Sequence, residues 1–115
     1  MKRINLIIVM SVFILSSCSS SKTLYSWYDY EDKAFQYQKK GEDELLPKTM
    51  KECLKVIEKQ KGIRNTPPPG LNAEYGYMLY KLGEKEEALN FYKTEILLYP
   101  ESEIYVSRII KQLEQ

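Results

Sequence analysis

Three consecutive prolines, Pro67 to Pro69, followed by Gly70, constrain this chain more than any other feature. They remove three backbone donors and push each preceding residue into extended geometry, so no helix and no inner sheet strand can run through "RNTPPPG". The segment is a stiff connector, and whatever folds must do so on either side of it. Period-two alternation is weak in both flanks, whereas apolar residues recur at helical spacing. The expected fold class is therefore all-α. Before the connector, Met50, Cys53, Leu54 and Ile57 form a helical stripe that Gly62 would end; after it, Tyr75, Met78, Leu79 and Leu82 form another. Gly83 breaks the chain between a helix ending near Leu82 and one starting near Lys85. In "ESEIYVSRIIKQLEQ" Val106, Ile109, Ile110 and Leu113 supply a last stripe, with Ser102 as its N-cap.

The chain has 115 residues, enough for one small core. It opens with Lys2 and Arg3 ahead of an apolar run from Ile4 to Leu15, which suits an export signal and falls short of the ~20 residues of a spanning helix. Leu15-Ser16-Ser17-Cys18 resembles the bacterial lipobox, a leucine and two small residues before the cysteine that becomes the acylated mature N-terminus. The resemblance implies cleavage after residue 17, diacylglycerol on the Cys18 sulfur and a further acyl chain, such as palmitate, on its amine. Several chains on one residue hold a protein to its membrane, since each buried CH₂ contributes about 0.8 kcal/mol. Ser19, where aspartate would favour inner-membrane retention, directs the protein to the outer membrane under the sorting rule of enteric bacteria, with its domain facing the periplasm. The expected layout is a cleaved signal at 1–17, a lipidated cysteine and flexible tether at 18–25, and a helical domain at 26–115.

Losing Lys2 and Arg3 with the signal leaves 15 basic residues against 16 acidic, so no basic field for nucleic acid remains. With Cys18 acylated, Cys53 stands alone and no disulfide within the chain can form. Histidine is absent, which removes imidazole bases, most zinc sites and the Ser-His and Cys-His nucleophiles. Glu42, Asp43 and Glu44 adjoin one another in a polar stretch and read as solvated. The expectation is a protein that is not an enzyme, with no catalytic residues, no metal and no cofactor beyond covalent lipid, and with no small-molecule substrate evident.

Gly76, inside the stripe that follows the connector, needs a reason, because glycine within a helix costs about 1 kcal/mol relative to alanine. The segment from about Pro69 to Ser102 resembles a tetratricopeptide repeat, an antiparallel helix pair with small residues where the helices approach, glycine at the turn and proline at the end. Gly76, Leu79, Gly83, Ala88, Tyr92 and Pro100 fall at that motif's positions. Gly76 and Ala88 are then the small residues at closest approach. Upstream, Tyr30, Ala34, Tyr37 and Gly41 match the first helix of another pair, with Ala34 as its small residue; "EDELLPKTM" interrupts the match before the second helix. The expected architecture is a short right-handed solenoid of about five helices with the last helix as a cap. Such repeats imply a concave groove, which the same register lines with Glu31, Phe35, Gln38 and Lys39 from the first pair and Tyr77, Tyr80 and Lys81 from the second. Tyrosine combines apolar area with a hydroxyl and suits partner recognition.

Across almost the whole mature chain, "LYSWYDYEDKAFQYQKKG", "PPPGLNAEYGYMLYKLG" and "ALNFYKTEILLYPES" resemble, in that order, the small bacterial lipoproteins of the DUF4810 family. The resemblance implies a membrane-bound accessory protein that accompanies a CsgG-like outer-membrane lipoprotein and a further small lipoprotein. It also leads one to expect glycine where Tyr28 stands. A helical-repeat adaptor for a protein partner is the reading these features favour. A regulator or enzyme of envelope polymer metabolism, and a purely structural subunit of a lipoprotein complex, stay open beside it.

Overall fold

A computed structural model of the protein describes residues 1–2 and 22–115, and among these the fold is all-α. Five helices follow in order: α1 Tyr30–Lys40, α2 Leu46–Glu58, α3 Leu71–Lys81, α4 Lys85–Leu98 and α5 Glu103–Glu114. Short 3₁₀ turns at Asp43–Leu45 and Pro100–Ser102 lead into α2 and α5. Cys18, residues 3–17 of the signal and residues 19–21 of the expected tether lie outside the described residues.

Each helix packs on the next one in the chain, and the closest pair is α3 with α4, joined by the three-residue turn Leu82–Glu84. A Cβ on Gly76 would lie 3.1 Å from the Ala88 carbonyl oxygen and 3.3 Å from the Tyr92 ring, so the glycine lets the two helices approach where even a methyl group would be crowded. Ala88 is fully buried beside it, and the Tyr75 and Phe91 rings pack at 4.6 Å between centroids. The α1–α2 pair is looser. Ala34 is half-buried against the core, and the fully buried members are Tyr30 from α1 and Leu46, Met50, Cys53 and Val56 from α2. Burial pushes the Cys53 thiol up to about 12, reinforced by the negative charge of Glu74. It is a core residue.

Three sequence expectations need correction. α2 spans Leu46–Glu58, so it starts ahead of Met50 and ends before Gly62, with Cys53 and Val56 as its deepest residues. The reason lies at the N-terminus of the domain: the chain from Thr23 to Ser26 runs along Lys59 to Arg64 and takes up their polar groups. Ile63 and Arg64 donate to the carbonyls of Thr23 and Leu24, and the Gln60 side chain both accepts from the Ser26 N–H and donates to the Ser26 carbonyl. Gly62 is accordingly a site of close approach; a Cβ there would fall 2.2 Å from the Leu24 carbonyl oxygen. Thr23 and Leu24, inside the stretch read as tether, are thus paired with Ile63 and Arg64. Leu82, expected in the buried stripe, is 54% exposed because α3 ends at Lys81 and Leu82 already belongs to the turn. Ser102 does occupy the N-cap position of α5, but its hydroxyl donates back to the Tyr99 carbonyl and caps no N–H.

Tyr28, in the place where the family resemblance suggests glycine, has φ +49°. A residue with a Cβ is strained there. Its phenol donates to the Lys59 carbonyl and the Lys55 ammonium sits 4.5 Å over its ring, two contacts that glycine could not make.

Candidate functional site

The first helices of the two pairs face each other across a groove. Tyr30 of α1 donates its hydroxyl to the Glu74 carboxylate of α3, and two helical turns further along both helices Lys81 donates its ammonium to the Tyr37 hydroxyl. Both ties span 44 residues, so α1 and α3 run parallel in a fixed register. The Lys81 ammonium also lies 5.0 Å over the Tyr37 ring and is held above its usual range by that phenol. Burial, and then the bond to Glu74, raise the Tyr30 phenol well above its ordinary value.

Helix α5 forms the far wall, and α4 the back, of a cavity of about 960 Å³. Seven tyrosines line it: Tyr30 and Tyr37 from α1, Tyr77 and Tyr80 from α3, Tyr92 and Tyr99 on the α4 side, and Tyr105 from α5. Tyr77 and Tyr80 are 57% and 45% exposed, so neither is needed to close the core. Of the described N-terminal residues, Thr23–Ser26 lie against residues 59–64 and do not cover these rings. Three carboxylates, Glu74, Glu95 and Glu101, join Gln38, Thr49, Ser102 and Gln112 in the polar part of the lining, which among the described residues contains no lysine or arginine.

Of the residues expected in the groove, Tyr77, Tyr80 and Gln38 line it. Lys81 closes one end through Tyr37 without lining the cavity. Glu31, Phe35 and Lys39 are exposed outside the lining. At about 100° per residue they sit a quarter to half a turn round α1 from the face defined by Tyr30, Ala34 and Tyr37. Phe35 instead carries the Lys39 ammonium 5.9 Å from its ring centroid. Sequence reasoning missed Glu95, Tyr99 and Tyr105. A signal for Glu95 was present: it follows Ala88 and Tyr92 along one stripe of α4, a carboxylate where an apolar residue belongs.

These features define the chain as a small all-α domain built from antiparallel helix pairs. Among the described residues no helix is long and apolar enough to cross a membrane. The chain belongs to the DUF4810 family, whose model, described as a domain of unknown function, matches residues 24–109. No curated protein and no solved structure matches it.

Proposed function

We propose that this protein is a lipid-anchored accessory subunit of a bacterial envelope, held to the periplasmic face of the outer membrane through Cys18, whose tyrosine-lined groove binds a protein partner. One observation carries the binding role: Tyr77 and Tyr80 stand exposed in a concave, preformed site while Tyr75, Met78 and Leu79 supply the buried face of the same helix. Large rings left free in a cavity of this size are the kind of anchor that dominates protein interfaces. The family resemblance makes a CsgG-like lipoprotein assembly the first partner to examine, and binding, without catalysis, is the role assigned. The address rests on the lipobox-like Leu15-Ser16-Ser17-Cys18 sequence.

Replacing both Tyr77 and Tyr80 by serine tests the groove. Each aromatic anchor is worth ~2 kcal/mol or more, about thirtyfold in affinity. The double variant should keep wild-type helicity by circular dichroism and its membrane fractionation, yet lose its co-purifying protein from detergent-solubilised membranes. Retention of every co-purifying protein by a folded variant would withdraw the groove. Palmitate labelling should disappear in Cys18→Ala, and unchanged labelling would end the lipid-anchor reading.

A further inference from the structure

Glu95 is 1% exposed, yet it carries a carboxyl group into the wall of the groove. One oxygen, Oε1, accepts from the Gly70 N–H at 2.6 Å and so caps the start of α3. The other, Oε2, is buried with no hydrogen-bond partner among the described residues. The remaining buried orphan of this region, the Asn72 side-chain nitrogen, lies outside the groove lining. A buried carboxylate oxygen with no donor is expensive, and the cost falls when a cation or strong donor reaches it. The lining also holds Tyr92, Tyr99 and Tyr105, aromatic rings of the kind that attract cations, and the further carboxylates Glu74 and Glu101.

From this we infer that the groove takes a segment of its partner bearing an arginine or lysine side chain, whose head pairs with Glu95 Oε2 while its aliphatic stem lies among the tyrosines. The inference rests on the proposed groove and supplies its chemistry. A lining with three carboxylates and no cation is complementary to a basic residue and repels an acidic one. Arginine suits it best, because the guanidinium combines fork-like donors with stacking on aromatic faces.

The test uses the full chain in detergent micelles and bead-bound libraries of blocked heptapeptides, random except for a fixed centre of arginine, lysine, citrulline, norleucine or glutamate. Arginine and lysine series should be retained over the citrulline, norleucine and glutamate series by about tenfold or more, the range expected when a buried charged hydrogen bond is made or lost. Glu95→Gln keeps an oxygen for Gly70 and should abolish that preference. Citrulline against arginine asks the same question of the unaltered protein. Norleucine or citrulline peptides retained as well as arginine peptides would overturn the inference and leave an apolar groove. A preference that survives in a folded Glu95→Gln variant would overturn it too, and leave Glu95 as a helix cap. Retention unchanged in the Tyr77→Ser/Tyr80→Ser variant, or no retention of any series, would remove the groove itself.

Discussion

The two helix pairs of this domain hold together by different means. In α3–α4 a three-residue turn and the contact of Gly76 with the Ala88 backbone bring the helices together as a close hairpin. In α1–α2 the loop is longer and the contact at Ala34 is only half-buried. The pair relies on long-range ties: Tyr30 and Tyr37 to α3, the Thr49 hydroxyl to the Lys33 carbonyl at 3.3 Å, and the Thr23–Ser26 segment against the end of α2. Helix pairs of similar topology can thus be stabilised by backbone proximity in one case and by side-chain ties in the other. The first is intolerant of added volume. The second depends on keeping its partners in place.

Gly76→Leu should break the C-terminal pair and have the largest effect. A four-carbon side chain has no room 3.1 Å from a backbone oxygen, so a loss of about 3 kcal/mol or more is expected, with Lys85→Leu as an exposed control that changes little. Chemical denaturation reads both, and equal midpoints would show that the close approach contributes nothing.

Gly62→Ala addresses the N-terminal pair. The added methyl meets the Leu24 oxygen at 2.2 Å and the Tyr25 Cα at 2.6 Å, all backbone, so the Thr23–Ser26 segment must move away. Losing its hydrogen bonds should cost about 1 to 3 kcal/mol, and amides at Ile63 and Arg64 should exchange sooner than those of α3 and α4. Uniform acceleration across the domain would mean that the segment does not serve the first pair selectively.

The smallest effect is a pH dependence. Cys53 is pushed up to about 12 and the phenols of Tyr30, Tyr75 and Tyr92 are also raised by burial. Groups whose folded pKa exceeds the unfolded value keep their proton longer in the native state, so stability is intact below about pH 8.5 and falls as pH rises beyond it. Each group contributes a slope of up to about 1.4 kcal/mol per pH unit. Cys53→Ala should flatten the decline between about pH 9 and pH 11 in thermal unfolding scans. An unchanged slope would show that the buried tyrosines carry the effect.

Helical periodicity made the all-α class legible, and the connector at Pro67–Pro69 divided the helices where the structure divides them. Gly76 and Ala88 were legible as packing residues because a glycine inside a strong apolar pattern demands a neighbour. Contacts between distant segments left weaker traces. Gly62 resembled a helix stop, since a glycine needed for close approach and one needed for termination look alike in sequence. The face of α1 was misjudged by a fraction of a turn at Glu31, Phe35 and Lys39, because Tyr30, Phe35 and Tyr37 are aromatics on more than one side of that helix. Glu95 left only a faint trace for a related reason: it falls in stripe with Ala88 and Tyr92, but α4 is amphipathic only weakly, so that stripe does not stand out.

The clasp between Thr23–Ser26 and Lys59–Arg64 also decides how the domain would bear mechanical load. With the proposed anchor at Cys18, Thr23 is only five residues away, a reach of at most about 18 Å. Tension from the membrane would then enter through the clasp, at the junction between the two helix pairs, and reach α1 only after those hydrogen bonds had parted. A pull on a partner seated between α1, α3 and α5 would be opposed from the same junction. The domain would transmit force through its middle, leaving the C-terminal turn of α5 outside that path.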